Sequence, residues 1–192
     1  MKMSFQLKQV RERLLKGLVD KGVLRTEKRN FLLFDMATHP VADVRMKDGI
    51  VGRVVSLLTA TTTAIPSRAL EKEGTQCRVV RAVCLVCTAH AASVLDNAFG
   101  ELTYEDREAA FVRCDEIMTE FSVWPWGTGT SQPANNRSSV GGGSSGVNGR
   151  EIVIGLVQEA KNEKKDIESD EDLGFELIAG VLDVLSKLDS LL

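Results

Sequence analysis

The chain has 192 residues, of which 43% are apolar, 27% charged and 5% aromatic, and its formal net charge is −3. This size and composition suit one globular domain, and no run reaches the ~18 consecutive apolar residues of a membrane span. The opening MKMSFQLKQ has no hydrophobic signal core, and the four cysteines lack the spacing of a disulfide framework. We therefore expect a non-secreted protein of a reducing compartment.

The charge is unevenly distributed along the chain. Residues 1–36 contain nine basic and four acidic side chains, a net charge of +5, and the other 156 residues carry −8. A basic end on an acidic body suits an anionic partner such as lipid headgroups, nucleic acid or an acidic protein. A solvated charged helix explains the pattern equally well.

The first predicted elements are a helix and a hairpin. Leu7, Val10, Leu14 and Leu18 recur at helical spacing, which predicts a helix from Ser4 to Lys21 that ends at Gly22 in the left-handed conformation. Val23–Thr26 and Phe31–Asp35 are then predicted to be two strands joined by a polar turn at Glu27–Asn30.

Three further helices follow in the prediction. Asp43 can cap a helix that reaches Leu58, and a polar connection occupies residues 59–74. The most apolar segment, Cys77–Ala98, is typical of one buried central helix. Thr103 and Asp106 form a capping pattern for a helix from Tyr104 to Phe121.

The remaining sequence predicts a loop and two helices. Residues 127–149 contain seven glycines and five serines, which predicts a flexible loop. We interpret REIVIGLVQEAKNEKK as a helix, and an acidic stretch, residues 163–172, precedes a last amphipathic helix. Its predicted apolar face consists of Leu173, Leu177, Val181, Leu185 and Leu188. The predicted fold class is mainly α, with one β-hairpin.

No enzyme or metal site is predicted. Cys84 and Cys87 form a CxxC with Cys77 and His90 nearby, but all four lie on one predicted helix, and a straight helix cannot close a tetrahedral zinc site. No phosphate loop, nucleophile elbow or HExxH motif occurs. We therefore expect a protein without enzymatic activity, metal or cofactor, in which His90 makes a helix contact.

Two interpretations of the basic segment remain open from the residues themselves. A helix followed by a hairpin has the local form of a winged helix, in which Lys28 and Arg29 would touch nucleic-acid phosphates. The run Phe31, Leu32, Leu33, Phe34, taken as one strand, would instead be apolar on both faces. The second face would then need a cover, which is this domain's interior, another subunit or a bilayer.

Three segments carry a resemblance to a known family. SFQLKQVRERLLKGLVDKGVLRTEKRNFLLFDMATHPVAD (residues 4–43), AHAASVLDNAFGEL (residues 89–102) and FELIAGVLDVLSKLDSLL (residues 175–192) resemble fungal, vacuolar-sorting members of the Golgi phosphoprotein 3 family. The resemblance is most specific in the first forty residues. Full-length members carry a comparable length of chain before this point, so the sequence resembles their C-terminal half, a partial domain over residues 1–192.

The resemblance implies a function. It implies a mostly helical fold with a protruding hairpin, in a peripheral protein on the cytosolic face of the Golgi membrane with a cytosolic pool. Its implied ligand is phosphatidylinositol 4-phosphate, and its implied partners are the cytosolic tails of glycosyltransferases and the COPI coat, which together retain those enzymes in the Golgi. No nucleic-acid partner is implied.

The resemblance also implies site residues. Lys8 and Arg11 stand at the positions of the family's two helix-borne headgroup residues, and their i, i+3 spacing predicts that they share one helix face. The hairpin corresponds to the family's oligomerisation and membrane-contact hairpin. Its candidate contact residues are Glu27, Lys28, Arg29, Asn30, Phe31, Leu32, Leu33 and Phe34.

Overall fold

The structure is a computed structural model that describes residues 8–31, 34–128, 149–165 and 172–187. These ranges contain seven α-helices and one two-stranded antiparallel hairpin, which confirms the predicted mainly α fold class. The chain divides into two compact units, Met1–Val51 and Gly52–Leu192. Most of the predicted Gly/Ser loop, and most of the acidic stretch that precedes the last helix, lie outside the described residues.

The first unit begins with helix α1, Val10–Asp20. The helix ends just before Gly22, which takes the predicted left-handed conformation with φ 72°, and the Gly22 amide donates to the carbonyl of Val19 at 2.9 Å. The amide of Val23 donates to the carbonyl of Leu18, also at 2.9 Å. These two bonds form a Schellman motif, which satisfies the last carbonyls of the helix.

The hairpin consists of β1, Glu27–Phe31, and β2, Phe34–Thr38. The hairpin itself was predicted, but its boundaries were wrong. The predicted turn Glu27–Asn30 is part of the first strand, and of the predicted strand Val23–Thr26 only Leu24 pairs, in an isolated bridge with Val41. The register pairs Lys28 with Ala37, Arg29 with Met36 and Phe31 with Phe34. Polar residues are compatible with these strands because their described side chains lie at the surface.

Helix α2 spans Val44–Leu58, and both of its ends agree with the prediction. The Asp43 carboxylate accepts a hydrogen bond from the Met46 amide at 3.3 Å, as expected of an N-cap residue. The division between the two units falls inside this helix, after Val51. No side chain described between residues 8 and 51 is buried, whereas burial begins at Gly52.

The predicted central helix is interrupted. Helix α3 spans Arg78–Ala91, and a single turn, α4, spans Leu95–Ala98. Between them Ser93 adopts φ 55°, its amide donates to the carbonyl of His90, and the Val94 amide donates to the carbonyl of Ala89. A serine therefore occupies the left-handed position that usually belongs to glycine, which is why the apolar pattern concealed the break.

The core of the second unit lies between α3 and three further helices. These are α5, Tyr104–Phe121, α6, Gly149–Lys165, and α7, Asp172–Ser186. The prediction of α5 is confirmed at both ends, and Thr103 caps it by accepting from the Asp106 amide at 3.2 Å. The helix interpretation of residues 150–165 is also confirmed. The largest fully buried side chains are Trp126, Phe99, Phe121, Leu57, Leu58, Leu95, Ile117, Leu156 and Leu182.

The predicted inward face of α7 was wrong for two of its residues, Leu177 and Val181, which are exposed, whereas Leu185 is half-buried and packs against the core. The buried side chains of α7 are Phe175, Ala179 and Leu182. Leu188 and the side chain of Leu173 lie outside the described residues. Because α7 is apolar on more than one side, the spacing of its leucines could not identify the side that packs.

Aromatic packing fixes the inner face of α7. The ring of Phe175 stacks on Trp124, with centroids 6.4 Å apart and an interplanar angle of 11°, and meets Trp126 edge-on at 5.5 Å. The indole N–H of Trp126 donates to the carbonyl of Phe121 at 3.1 Å, so this buried polar group is satisfied. Within the described ranges, no helix has the length and apolar character needed to cross a bilayer.

Candidate functional site

Lys8 and Arg11 do not share a helix face. Gln9, between them, adopts φ 54° and ψ 39°, and α1 begins only at Val10. Lys8 therefore precedes the helix, and the i, i+3 argument, which holds only inside a continuous helix, fails for this pair. Both side chains are exposed. Their assignment to a lipid headgroup stays a prediction.

The segment around these two residues presents many free basic groups to solvent. Seven basic residues between positions 8 and 31 are exposed and have no ion pair among the described contacts: Lys8, Arg11, Arg13, Lys16, Lys21, Lys28 and Arg29. Arg25 differs, because its Nε lies 2.6 Å from Oε1 of Glu27. This surface attracts anions, but exposed charges bind them weakly and are screened beyond about 10 Å at 0.1 M salt.

Helix α1 also presents its apolar stripe to solvent. Val10, Leu14 and Leu18 are 41%, 62% and 39% exposed, and the helix has no buried residue. A stripe at this spacing normally packs on a core. In the first unit, basic and apolar side chains therefore lie together at the surface, as on surfaces that meet an anionic apolar partner.

The hairpin places basic side chains on both of its faces. Glu27 and Arg29 alternate with Lys28 and Asn30 along β1. Three of these four side chains are exposed, and Glu27 is half-buried. The argument from two apolar faces was wrong, because residues 31–34 are not one strand: Phe31 ends β1 and Phe34 begins β2. Leu32 and Leu33, and the side chains of Phe31 and Phe34, lie outside what the structure describes. The contact role of the hairpin stays a prediction.

Two of the four cysteines are buried thiols, and no metal-binding arrangement occurs among the described residues. Cys87 on α3 and Cys114 on α5 are fully buried. Burial raises the pKa of the Cys114 thiol to about 12 and raises the pKa of Cys87 as well. Across the described residues, no three His, Cys, Asp or Glu side chains come together as a metal site. These thiols are protonated at neutral pH and act as small core residues.

A polar cavity of about 240 Å³ lies between α3, α5 and α7. It is lined by His90, Ala91, Ser93, Asp115, Met118, Thr119, Leu185 and Ser186. The Nε2 atom of His90 lies 3.4 Å from a carboxylate oxygen of Asp115, so His90 makes the expected contact between helices. Sequence reasoning missed the cavity, because its lining comes from three segments far apart in the chain.

The comparisons with known proteins agree with the resemblance. The family model for Golgi phosphoprotein 3 (GPP34) matches residues 2–137. Two proteins called vacuolar protein sorting-associated protein 74 are similar over all 192 residues: the one from Schizosaccharomyces pombe is 46% identical and the one from Eremothecium gossypii 41%. The chain covers 52% and 53% of these two proteins, so it spans about half the length of the curated relatives it matches. The chain therefore belongs to the Golgi phosphoprotein 3 family, a family of Golgi-associated proteins and not a known family of enzymes.

Proposed function

We propose that this chain acts in a peripheral protein of the cytosolic face of the Golgi membrane, which exchanges with a cytosolic pool. It binds phosphatidylinositol 4-phosphate and, as an adaptor, retains glycosyltransferases in the Golgi through COPI-dependent retrograde transport. The observation that carries this proposal is the family match over residues 2–137, together with similarity along the whole chain to two vacuolar sorting-associated proteins.

The exposed basic surface of the first unit supports the lipid part of the proposal. Lys8 and Arg11 are assigned to the headgroup of the lipid on the family resemblance, and charged donors of this kind bind phosphate through strong, short hydrogen bonds. The other basic side chains of residues 8–31 add general attraction, about 1 kcal/mol for each Lys or Arg that reaches an anionic bilayer surface. Lys28 and Arg29 contribute from β1, next to the apolar residues 31–34.

The negative charge of residues 37–192 supports the proposed binding of glycosyltransferase tails. Residues 37–192 carry a net charge of −8. Cytosolic segments next to membrane-spanning helices are rich in Lys and Arg. The short cytosolic tails of Golgi enzymes are segments of this kind. The acidic residues of this part of the chain can therefore bind such tails while the basic residues of the first unit engage the lipid.

Sedimentation with vesicles tests the lipid function. At low salt, we expect the chain to sediment with vesicles that contain phosphatidylinositol 4-phosphate and to stay in solution with vesicles of phosphatidylcholine alone. Retention on duplex DNA with a steep salt dependence, and no binding to vesicles, would replace the proposal with the winged-helix function. The helix α1 before the hairpin is the one observation that favours that second candidate.

A second experiment tests the adaptor function separately. Immobilised peptides with the sequences of glycosyltransferase cytosolic tails should retain the chain, and peptides of the same composition in scrambled order should retain less. Purified COPI coat should bind the chain in the same format. Equal retention on native and scrambled tails would show charge attraction without cargo recognition, and would contradict the adaptor proposal.

A further inference from the structure

Positive charge is concentrated in one part of the second unit, where α2, α3 and the segment between them meet. That segment contains a short 3₁₀ turn, Ser67–Ala69. Residues 52–81 contain five basic and two acidic side chains, a net charge of +3, whereas residues 82–192 contain eight basic and 19 acidic ones, a net charge of −11. We call the four arginines of residues 52–81 the arginine cluster: Arg53, Arg68, Arg78 and Arg81.

Glu71 contacts three members of the arginine cluster. Nη2 of Arg53 lies 3.2 Å from one carboxylate oxygen of Glu71, and Nη1 of Arg81 lies 3.9 Å from the other. Nε of Arg78 donates to the backbone carbonyl of Glu71 at 2.8 Å. These contacts bring guanidinium groups from two helices to a single acidic residue.

Arg68 reaches the same place from the 3₁₀ turn. A Cβ atom at Gly52 would lie 2.7 Å from Nη2 and 2.9 Å from Nε of Arg68, so this guanidinium lies directly against the backbone of α2. The next residue of α2, Arg53, donates from Nε to the carbonyl of Ala69 at 3.4 Å. Two separate contacts therefore hold the turn beside α2. Arg68 is exposed and takes part in no ion pair among the described residues.

The arginine cluster has more positive charge and more donors than the protein uses. Like charges held this close repel one another, and Glu71 offsets only one of the four. Each guanidinium has five N–H donors, of which the described hydrogen bonds use two on Arg53, one on Arg78 and one on Arg81. The side chains of Arg53 and Glu71 are only 22% and 30% exposed, and charge interactions there are stronger than in open water.

We propose that the arginine cluster binds a phosphate group, with Arg68 and Arg78 as its principal donors. A planar guanidinium fork matches two phosphate oxygens, and neighbouring arginines favour a doubly charged phosphate over a singly charged anion. Arg53 and Arg81, which Glu71 holds in place, add positive charge. The phosphate group belongs to a soluble compound or to a lipid headgroup, since both present the same oxygens. This site is separate from Lys8 and Arg11, and the inference does not depend on the proposed function.

Titration with inorganic phosphate tests the site. In ¹H–¹⁵N NMR spectra, we expect saturable shifts of the Nε–H signals of the arginine cluster, and no such shifts with sodium chloride at equal ionic strength. Arg68→Gln alone should weaken binding about three-fold, and Arg68→Gln with Arg78→Gln about ten-fold or more. The matched control, Arg45→Gln with Lys47→Gln, removes the same charge from exposed positions of α2 and should leave the affinity unchanged. Circular dichroism checks that all variants remain folded.

Glu71→Gln gives a readout that a purely structural role of the arginine cluster does not predict. The amide oxygen still accepts a hydrogen bond from Arg53, but the side chain no longer repels phosphate. We expect this variant to bind phosphate about three-fold more tightly. Lys8→Ala with Arg11→Ala should leave the phosphate affinity unchanged, which separates this site from the proposed lipid site of the first unit.

Vesicles distinguish the two sources of the phosphate group. Sedimentation is measured with phosphatidylcholine vesicles that contain phosphatidic acid. A loss of sedimentation in Arg68→Gln with Arg78→Gln, and not in the Arg45 and Lys47 control, assigns the site to a lipid headgroup. Equal sedimentation of these two variants, with phosphate binding weakened only in the first, assigns the site to a soluble phosphate compound.

Four results would overturn the proposal. The first is the absence of saturable shifts in the arginine cluster with inorganic phosphate. The second is a phosphate affinity that Arg68→Gln with Arg78→Gln leaves unchanged. The third is a Glu71→Gln variant that binds phosphate no more tightly than the unchanged chain. The fourth is loss of phosphate binding in Lys8→Ala with Arg11→Ala, because the phosphate would then be bound by the first unit.

Discussion

The Glu163 carboxylate near the end of α6 accepts hydrogen bonds from the Val79 amide in the first turn of α3, with N–O distances of 2.9 and 3.1 Å. A third, longer bond of 3.4 Å comes from the Val80 amide. The residue before α3, Cys77, is in the left-handed conformation and makes no side-chain cap. Glu163 therefore supplies from a distant helix the cap that α3 lacks locally, and its negative charge also faces the positive end of the helix dipole.

We expect Glu163→Ala to lower the free energy of unfolding by about 1–2 kcal/mol, which is typical for the loss of a helix cap. Glu163→Gln should cost about half as much, because the amide oxygen still accepts a hydrogen bond while the charge is lost. Urea unfolding measures both values. The control is Glu159→Ala, an exposed acidic residue of the same helix, and an equal loss in that variant would show that the cap is not the cause.

The buried thiols predict a loss of stability in alkaline solution. The pKa of Cys114 is raised from 9.0 to about 12 by burial and, to a lesser extent, by the charge of Asp115. A raised pKa in the folded state means that the unfolded chain loses its proton first as the pH rises. The stabilisation is therefore complete below pH 9 and decreases between pH 9 and pH 12.

Two measurements check this prediction. The free energy of unfolding of the chain should fall from pH 8.5 to pH 10, and Cys114→Ala should show a shallower fall over that interval, although it is less stable throughout (about 1 kcal/mol for the lost sulfur contacts). Alkylation at pH 8 followed by mass spectrometry should modify Cys77 and Cys84, which are half-buried, before Cys87 and Cys114. Equal alkylation rates for all four cysteines would contradict the burial that the structure shows.

The sequence predicted those features that are set by residues close together in the chain. Gly22 marks the end of a helix, and Asp43 and Thr103 each mark the start of one. The hydrogen bonds involved span only three to five residues, so the residue types alone are enough to predict these helix ends. The family resemblance assigned Lys8 and Arg11 to a lipid headgroup, which stays a prediction. It could not reveal the left-handed Gln9 between them, because an exposed glutamine has no strong conformational signature.

The features that were missed depend on contacts distant in the chain. Glu163 and Val79 are 84 residues apart, so no local pattern indicates the cap. The side of α7 that faces the core is decided by the aromatic residues that Phe175 contacts. The spacing of apolar residues alone is compatible with either of two sides. Residues 27–30 of the first strand were predicted to be a turn because they are polar, which is the expected composition of a strand whose described side chains lie at the surface.

We predict that copies of this chain associate with one another through the hairpin. Residues 31–34 are four consecutive large apolar residues in the sequence, close to the exposed Lys28 and Arg29. Both strands of this two-stranded hairpin also have an unpaired edge, which can pair with another chain. We expect Leu32→Ser with Phe34→Ser to shift the chain to a smaller species in light scattering. The control is Val44→Ser, which removes an apolar side chain that is 57% exposed. An unchanged mass for the hairpin variant, with its circular dichroism intact, would mean that these residues do not hold copies of the chain together.

The last prediction concerns how strongly this chain alone binds its proposed lipid. Lys8 and Arg11 are exposed, and Lys8 lies outside the helix that carries Arg11. Each charged hydrogen bond to phosphate contributes about 1.5–3 kcal/mol, but two of them must also offset the cost of immobilising the headgroup. No buried wall surrounds them among the described residues 8–51. We therefore expect weak binding that depends mainly on general charge.

Vesicle titrations decide between general charge and a specific site. Binding to vesicles that contain phosphatidylinositol 4-phosphate should fall steeply with salt, because exposed charges are screened beyond about 10 Å at 0.1 M. Lys8→Ala with Arg11→Ala should weaken binding no more than Lys16→Ala with Lys21→Ala, a control that removes the same charge from exposed positions of the same unit. A strong, salt-resistant preference for the 4-phosphate lipid that is lost only with Lys8 and Arg11 would show that these two side chains form a specific site by themselves. Such a result would require the exposed ends of Lys8 and Arg11 to converge on one phosphate despite the left-handed residue between them.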